Sequence, residues 1–231
     1  MTKRKKIPAR FRYWFKDGID VIQNLNEKFM PLGHLMSRLL AQEFDSKRIK
    51  FINHQLNTEK TYFLFPQSEK NYLHEGVNEI WYNDCFDLQE FLAHNENTQK
   101  KILWERAYKA FIASKKKEVK EAFEKAYSAG LDANLEYDYN ILEIEFNIQN
   151  EEYLAALRIS FEEDSKNSTL IVYKSNSQIY SRHIDESDLG NPFFLEMYNS
   201  IEVNSDQIII KGDSDIDYLP LKISFREIGL I

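Results

Sequence analysis

The side chains that could support catalysis or metal binding are few and scattered. Four of the five histidines recur at intervals of twenty residues, at His34, His54, His74 and His94. None forms an HxH or HxxxH spacing, so the histidines predict no zinc site. The residues around them share almost nothing, so the regular interval does not indicate an internal repeat.

The single cysteine, Cys85, lies in the segment WYNDCFD beside acidic side chains. Neighbouring negative charge raises the pKa of a thiol and so disfavours the nucleophilic thiolate. We therefore expect an idle thiol rather than a catalytic nucleophile. A lone cysteine forms no internal disulfide, which fits a reducing compartment.

Phosphate-binding loops and calcium-binding loops can both be recognised by the spacing of their residues. The seven glycines stand singly, so the GxxxxGK and GxGxxG phosphate-binding loops are both missing. The segment GDSDIDYLP, with Asp213, Asp215 and Asp217, resembles the opening of a calcium loop. An EF-hand loop needs glycine and glutamate where this chain has Tyr218 and Ser224. The sequence thus predicts an acidic turn, with no cofactor, no metal and no catalytic residue.

Composition limits the possible partners. The 231 residues are 43% hydrophobic and 14% aromatic, which is sufficient for a folded core. The chain has no apolar run long enough for a membrane span and no secretory signal, so we expect a cytoplasmic protein. Residues 1–16 contain seven basic groups and no acid, and residues 17–231 carry a charge of −14. That balance favours a basic partner over nucleic acid or an anionic membrane.

The basic segment at residues 1–16 is interleaved with the aromatic residues Phe11, Tyr13, Trp14 and Phe15. Basic and aromatic side chains together can contact nucleic acid or lipid. The alternative, which the acidic remainder of the chain favours, is a solvated terminus that leads into an aromatic anchor on the core.

Residues 17–130 show mixed helix and strand signals. Residues 19–43 have a helical pattern with a break near Met30, and Asp87 is placed to cap a helix through Leu92. Residues 47–55, 61–65 and 79–82 are typical of strands. The segment from Thr98 to Gly130 is amphipathic, either as one long helix or as two with a corner at residues 114–117. Gly130 is predicted to end it.

After Gly130 the apolar period changes to two. We expect one antiparallel sheet of at least five strands, with hairpin turns at residues 150–151, 175–177 and 204–206 and a short helix from Phe193. Its predicted core consists of Leu142, Ile144, Phe146, Leu157, Ile159, Leu221 and Ile223. The predicted fold class is α+β, divided into residues 1–16, 17–130 and 131–231, or with 17–231 as one continuous domain.

Acidic residues are concentrated at the start of this sheet. From Asp132 to Asp164 there are ten acids, and Arg158 is the one base. Such a surface can simply keep the protein soluble, or it can dock a cationic protein by complementary charge. The partner-binding residues predicted on the second interpretation are Glu143, Glu145, Glu162, Glu163 and Asp164.

The helix ILWERAYKAF followed by an acidic antiparallel sheet, over residues 98–231, resembles bacterial immunity proteins of polymorphic-toxin and contact-dependent inhibition systems. That resemblance implies a cytoplasmic, non-enzymatic protein that binds and blocks one cognate toxin, often a basic nuclease. Three alternatives stay open: a generic interaction or regulatory module, an enzyme with a dispersed site, and a nucleic-acid or membrane protein that uses residues 3–16.

Overall fold

The computed structural model describes residues 10–43 and 49–231, without the side chain of Pro192. The chain divides into two compact units, one ending at Tyr137 and one running from Asp138 to Ile231. Helices and antiparallel strands are both extensive, which confirms the predicted α+β class. The expectations for residues 1–9, and for a strand beginning at residue 47, fall outside the described residues.

The first unit contains a five-stranded sheet in the order β2-β1-β3-β5-β4. Strands β1, β3 and β5 run parallel, and β2 and β4 pair antiparallel at the two edges. The strands are β1 (Arg10–Asp17), β2 (Asp20–Val21), β3 (Phe51–Asn57), β4 (Tyr72–Glu75) and β5 (Glu79–Cys85). The helices are α1 (Gln23–Lys28), α2 (Met30–Glu43), α3 (Glu59–Leu64), α4 (Leu88–Leu92), α5 (Glu96–Phe111) and α6 (Lys117–Asp132).

Part of the basic segment forms an inner strand of this sheet. In β1 the side chains of Phe11, Tyr13 and Phe15 are buried in the core, while Arg12 is exposed and Trp14 is half-buried on the opposite face. Successive side chains of a strand point to opposite faces, so the same seven-residue run supplies both the aromatic core and a basic outer face. The aromatic residues therefore anchor this segment within the sheet.

The helices of the first unit satisfy backbone groups along β1. The N–H of Phe11 donates to Ser37 Oγ at 2.8 Å, and the N–H of Phe15 donates to Asn26 Oδ1 at 2.8 Å. Helix α2 comes close because Gly33 has no side chain: a Cβ there would lie 3.1 Å from the carbonyl oxygen of Phe11. The break predicted near Met30 is confirmed, since α1 ends at Lys28 and α2 begins at Met30.

The segment from Thr98 to Gly130 forms the two helices α5 and α6 with a corner between them, as in the second of the two predicted arrangements. The expectation that Gly130 ends a helix is wrong, because α6 continues to Asp132 and Gly130 is buried inside it. Its role is packing. A Cβ at Gly130 would lie 2.2 Å from Cζ2 of the fully buried Trp104.

The strand predicted at residues 61–65 is also wrong, since these residues belong to α3 and the turn after it. Both edges of β3 are already occupied, by β1 and β5, so the next segment cannot extend the sheet beside it. Instead, the N–H of Gly18 donates to Thr61 Oγ1 at 3.0 Å and holds α3 near the end of β1. The edge position is taken by β4, which the sequence pattern did not indicate.

The second unit begins with a four-stranded antiparallel meander in the order β6-β7-β8-β9. Its strands are β6 (Tyr139–Ile148), β7 (Glu151–Phe161), β8 (Ser165–Lys174) and β9 (Ser177–Asp188). Two of its turns use left-handed backbone: φ is 51° and 64° at Gln149 and Asn150, and 48° and 65° at Ser175 and Asn176. The hairpins are confirmed, although the first turn lies one residue earlier than predicted.

A single sheet of five or more strands is not what forms. After β9 the chain passes through a short 3₁₀ helix, Pro192–Leu195, into a second antiparallel sheet of three strands. These strands are β10 (Tyr198–Val203), β11 (Gln207–Gly212) and β12 (Leu221–Ser224), followed by helix α7 (Phe225–Ile228). Both sheets contribute side chains to one hydrophobic core. Apolar alternation identifies strands but not which sheet each strand joins, and that explains the error.

The predicted core of this unit is largely confirmed. Leu157, Ile159 and Ile223 are fully buried and Phe146 nearly so. Leu142, Ile144 and Leu221 are partly buried and pack against the same cluster.

The contact between Gly130 and Trp104 gives a testable prediction. Gly130→Ala should reduce the free energy of unfolding by about 1–3 kcal/mol, because the added methyl group overlaps the indole ring and forces a backbone shift. Chemical denaturation measures the change. Gly190→Ala is the control, because a Cβ at that position meets nothing within 4 Å. A Gly130→Ala protein as stable as the wild type would show that α5 and α6 do not pack this closely.

Candidate functional site

The acidic residues predicted to bind a partner form two separate groups. Glu143 and Glu145 are exposed and lie two residues apart on β6. Glu162, Glu163 and Asp164 are exposed in the turn between β7 and β8. Glu143 pairs with Ala156 across the sheet, so the turn lies about six residues, or roughly 20 Å, further along β7.

Some acids of the second unit are used for internal ion pairs. Asp138 lies 3.5 Å from Arg158, Glu151 lies 3.5 Å from Lys174, and Glu202 lies 2.7 Å from Lys211. Within the described residues, none of the five predicted binding acids forms an ion pair with lysine or arginine. Their negative charge is therefore not neutralised by the protein itself.

The structure reveals a third acidic region that sequence reasoning did not find. A groove of about 340 Å³ lies between the end of β9, the 3₁₀ helix and the segment that follows β11. An aromatic side chain, Phe193, stands at this groove with 70% of its surface exposed, while its neighbour Phe194 is buried. The carboxylates that line the groove are Asp185, Glu186, Glu196, Asp213 and Asp215.

Local hydrogen bonds orient several of these carboxylates without neutralising them. The hydroxyl of Tyr218 donates to Asp185 Oδ2 at 2.6 Å, and Asn199 Nδ2 donates to Asp213 Oδ1 at 3.0 Å. Ser214 Oγ donates to Asp215 Oδ1 at 3.2 Å. The described part of the chain places no lysine or arginine in an ion pair with Asp185, Glu186, Asp213 or Asp215. Carboxylates that line one groove favour a cationic ligand.

A buried lysine fixes the loop that forms one wall of the groove. Lys166, on β8, is fully buried, and its Nζ donates to the carbonyl oxygens of Leu189, at 3.1 Å, and Asn191. The ammonium group also lies 5.8 Å from the centre of the Phe194 ring. Burial lowers the pKa of Lys166 to about 8. These contacts hold the backbone just before Phe193 against the sheet.

A chain of hydroxyl groups connects the groove to the interior of the unit. Ser168 Oγ lies 2.6 Å from the hydroxyl of Tyr198, which lies 3.3 Å from that of Tyr218. Burial, the hydrogen bond to Asp185 and the neighbouring Tyr198 together raise the pKa of Tyr218 far above its ordinary value. Tyr218 is therefore a permanent hydrogen-bond donor to Asp185, and it fixes the position of that carboxylate in the groove.

The first unit contains a buried polar cluster of another kind. His54 Nε2 lies 2.8 Å from Asp84 Oδ2, and Arg106 of α5 donates to both oxygens of Asp84 through Nε and a terminal nitrogen, at 2.8 and 2.5 Å. Burial alone would raise the pKa of Asp84, but the hydrogen bonds from His54 and Arg106 outweigh it and lower that pKa. His54 is fully enclosed, between the rings of Tyr13, Tyr82 and Phe111, so this cluster links β3, β5 and α5 inside the core.

The thiol of Cys85 has the raised pKa that the sequence predicts. Burial, and then the carboxylate of Glu59 at 3.1 Å from Sγ, raise the pKa of the thiol. Within residues 10–43 and 49–231, no group of three or more histidine, cysteine or acidic side chains is placed to hold a metal ion. The helices in those ranges are also too short or too polar to cross a membrane.

Comparison with protein-family models, with curated proteins and with solved structures finds no match to this chain.

The groove escaped sequence analysis because its walls come from distant segments. Asp185 and Asp213 are 28 positions apart in the sequence, and only the two-sheet arrangement brings their segments together. The available signal was the pair Phe193–Phe194 next to a loop marked by Gly190, since aromatic residues are enriched in protein interfaces.

Lys166 provides a pH-dependent test of the groove wall. Its folded-state pKa of about 8 is below the ordinary value of 10.5, so the folded protein releases the proton first as the pH rises. Stability conferred through this group therefore increases between about pH 8 and 10.5. Between pH 7 and 9.5, the free energy of unfolding of the wild type should rise by about 2 kcal/mol more than that of Lys166→Met, which has no amine to titrate. Denaturation at the two pH values measures it, and parallel pH profiles would contradict burial of the charged amine.

Proposed function

We propose that this chain is a cytoplasmic, non-enzymatic immunity-type protein. It binds and neutralises a basic toxin domain of the nuclease type through the acidic surface of its second unit. The observation that carries the proposal is the separation of charge between the units. Residues 138–231 contain 18 acids and seven bases, a formal charge of −11, whereas residues 1–137 carry +4.

The groove adds an exposed aromatic anchor, which a charged surface alone lacks. Exposed ion pairs contribute only about 0.2–1 kcal/mol each, so carboxylates alone do not make a tight complex. Binding energy concentrates in aromatic or arginine anchors that become buried at the centre of an interface. Phe193 is such an anchor: it is exposed, and the groove beside it is lined by carboxylates. Four of these, Asp185, Glu186, Asp213 and Asp215, form no ion pair with lysine or arginine within the described structure.

Neutralisation follows from the chemistry of a nuclease surface. A protein that cuts nucleic acid must attract phosphates with lysine and arginine side chains. A rigid array of carboxylates competes for the same cations and blocks access by the nucleic acid substrate. Complementary charge also accelerates the encounter between the two proteins and disfavours wrong partners.

Glu143 and Glu145 form a second contact region in this proposal. Both side chains are exposed and share one face of β6, and Glu143 accepts a hydrogen bond from Asn140 Nδ2 at 2.7 Å. Together with the turn acids Glu162, Glu163 and Asp164, they extend the negative surface beyond the groove.

The first experiment is co-expression in a bacterial host with the protein encoded by the gene directly upstream, which the proposal expects to contain a basic toxin domain. The proposal predicts growth arrest by that domain alone and recovery when this chain is also expressed. Binding without recovery would favour the generic interaction module instead. Turnover of a small-molecule substrate by the purified chain would favour the enzyme.

With that purified toxin domain, variants then locate the interface. Glu186→Lys combined with Asp215→Lys should slow association at low salt by about tenfold or more, with a smaller effect on dissociation. Added salt should slow the wild type in the same way. Phe193→Ala should instead speed dissociation by roughly thirtyfold, as expected for loss of a central anchor.

Two further variants complete this binding experiment. Glu118→Lys with Glu121→Lys makes the same change of net charge on α6, in the first unit, and should leave association nearly unchanged. Glu143→Lys with Glu145→Lys tests the region that the sequence predicted. Equal effects of the groove and α6 reversals would mean that only net charge matters, which would contradict a specific surface on the second unit.

A further inference from the structure

The sheet of the first unit has an outer face with an unusual combination of side chains. The core residues of β1, β3 and β5 fill the inner face, and the alternate residues of the same strands point outward. The register aligns these outward residues in rows across the sheet. One row is Trp14, Gln55, Asn83 and Tyr72, and the adjacent row is Arg12, Asn53, Trp81 and His74.

The aromatic rings on this face are partly exposed, and two of them are in contact with other flat groups on one side. Tyr72 and Phe51 are exposed, and Trp14 and Trp81 are half-buried. His74 stacks on Trp81 with the ring centres 3.7 Å apart and the planes 17° from parallel. The guanidinium group of Arg12 lies 5.8 Å from the centre of the Phe51 ring. The face is therefore a platform of flat groups rather than a conventional polar surface.

The amide side chains on the platform have unused hydrogen-bonding capacity. Asn53, Gln55 and Asn83 are half-buried on adjacent strands, and none of them forms a side-chain hydrogen bond within the described residues. Amides of this kind can both donate and accept, so they can pair with a ligand that presents donors and acceptors along one edge.

A cleft closes one end of the platform. It has a volume of about 340 Å³ and lies where the carboxyl ends of the parallel strands meet α3 and the turn after it. Its lining includes Lys16, the amides Gln55, Asn57 and Asn83, and the rings of Phe65 and Trp81. A planar polar group would be held between the rings and amides there, with the lysine available to an attached anion.

Charge on this face is opposite to that of the second unit. β1 directs Arg12 and Lys16 outward, and neither forms an ion pair with a carboxylate within the described residues. The net negative charge of the whole chain therefore does not describe this surface, because the excess of acid lies in residues 138–231.

We propose that the outer face of this sheet binds single-stranded nucleic acid, with one nucleotide seated in the cleft. Bases stack on the aromatic rings, amides hydrogen-bond to base edges, and Arg12 and Lys16 contact phosphates. Residues two apart on one face of a strand are about 6.6 Å apart, which suits successive unstacked bases. This proposal concerns the first unit and is independent of toxin binding by the second.

The test is fluorescence anisotropy of the full chain with a labelled oligouridylate of about a dozen nucleotides at low salt. Trp81→Ala should weaken binding by about tenfold or more, the usual effect of losing one stacking ring. Lys16→Gln should weaken it less and should reduce the slope of log Kd against log salt by about 0.7, the value for one phosphate of a single strand. Phe193→Ala and Lys222→Gln, matched changes in the second unit, should have no effect.

Competition experiments separate the possible occupants. Duplex of the same length should bind more weakly, because its bases are already stacked and its edges paired. Equal affinity for duplex, or insensitivity to Trp81→Ala, would overturn the proposal by reducing it to charge attraction. If a mononucleotide bound as tightly as the oligouridylate, a single nucleotide site would account for the binding. That result would overturn the proposal of an extended platform. A polyglutamate peptide could also bind more tightly than the oligouridylate and lose the same affinity in Trp81→Ala. The ligand of this face would then be an acidic protein, and the proposal of nucleic-acid binding would be overturned.

Discussion

The alternation of side chains along β1, β3 and β5 determines most of what the first unit can do. Because neighbouring residues of a strand face opposite ways, each strand must place its apolar residues toward the helices and its remaining residues outward. On the inner side the ion pair of Asp84 with Arg106 joins β5 to α5, and Gly130 allows α6 to lie against Trp104. Rigid packing on that side holds the outer rows in fixed register.

In the second unit the same alternation operates in two sheets around one core. The connection between the sheets places the 3₁₀ helix and Phe193 beside the acidic segment after β11. A buried ammonium group, that of Lys166, holds this connection through backbone carbonyls. Asp138, Glu151 and Glu202 are paired with bases. Within the described residues, by contrast, no lysine or arginine pairs with four of the groove acids, Asp185, Glu186, Asp213 and Asp215. That contrast separates structural carboxylates from those available to a partner.

Local patterns in the sequence predicted local structure well. Period-two alternation identified β6 and β7, and Asp87 was correctly placed as a helix cap, since its carboxylate accepts from the N–H of Glu90 at 3.0 Å. The strand predicted at residues 61–65 is wrong because high strand propensity produces a strand only where a place in a sheet is open. Both edges of β3 are already occupied. Gly130 was misjudged because a glycine that ends a helix and one that admits an indole ring look alike in sequence.

The candidate sites depend on contacts that no local pattern contains. Glu143 and Glu145 share a face as expected, but the groove needs segments from two sheets, and the outer platform needs the parallel order of β1, β3 and β5. The distribution of charge also depends on the division into two units. Of the −14 carried by residues 17–231, −11 lies after Tyr137.

Amide hydrogen exchange of the chain with and without a basic toxin domain that it neutralises on co-expression tests the central claim most directly. Binding at the acidic groove should slow exchange in residues 185–197 and 213–217, and should leave α5 and α6 unchanged. A stable complex in which those two segments exchange as fast as in the free protein would contradict the account, because the partner would then bind elsewhere.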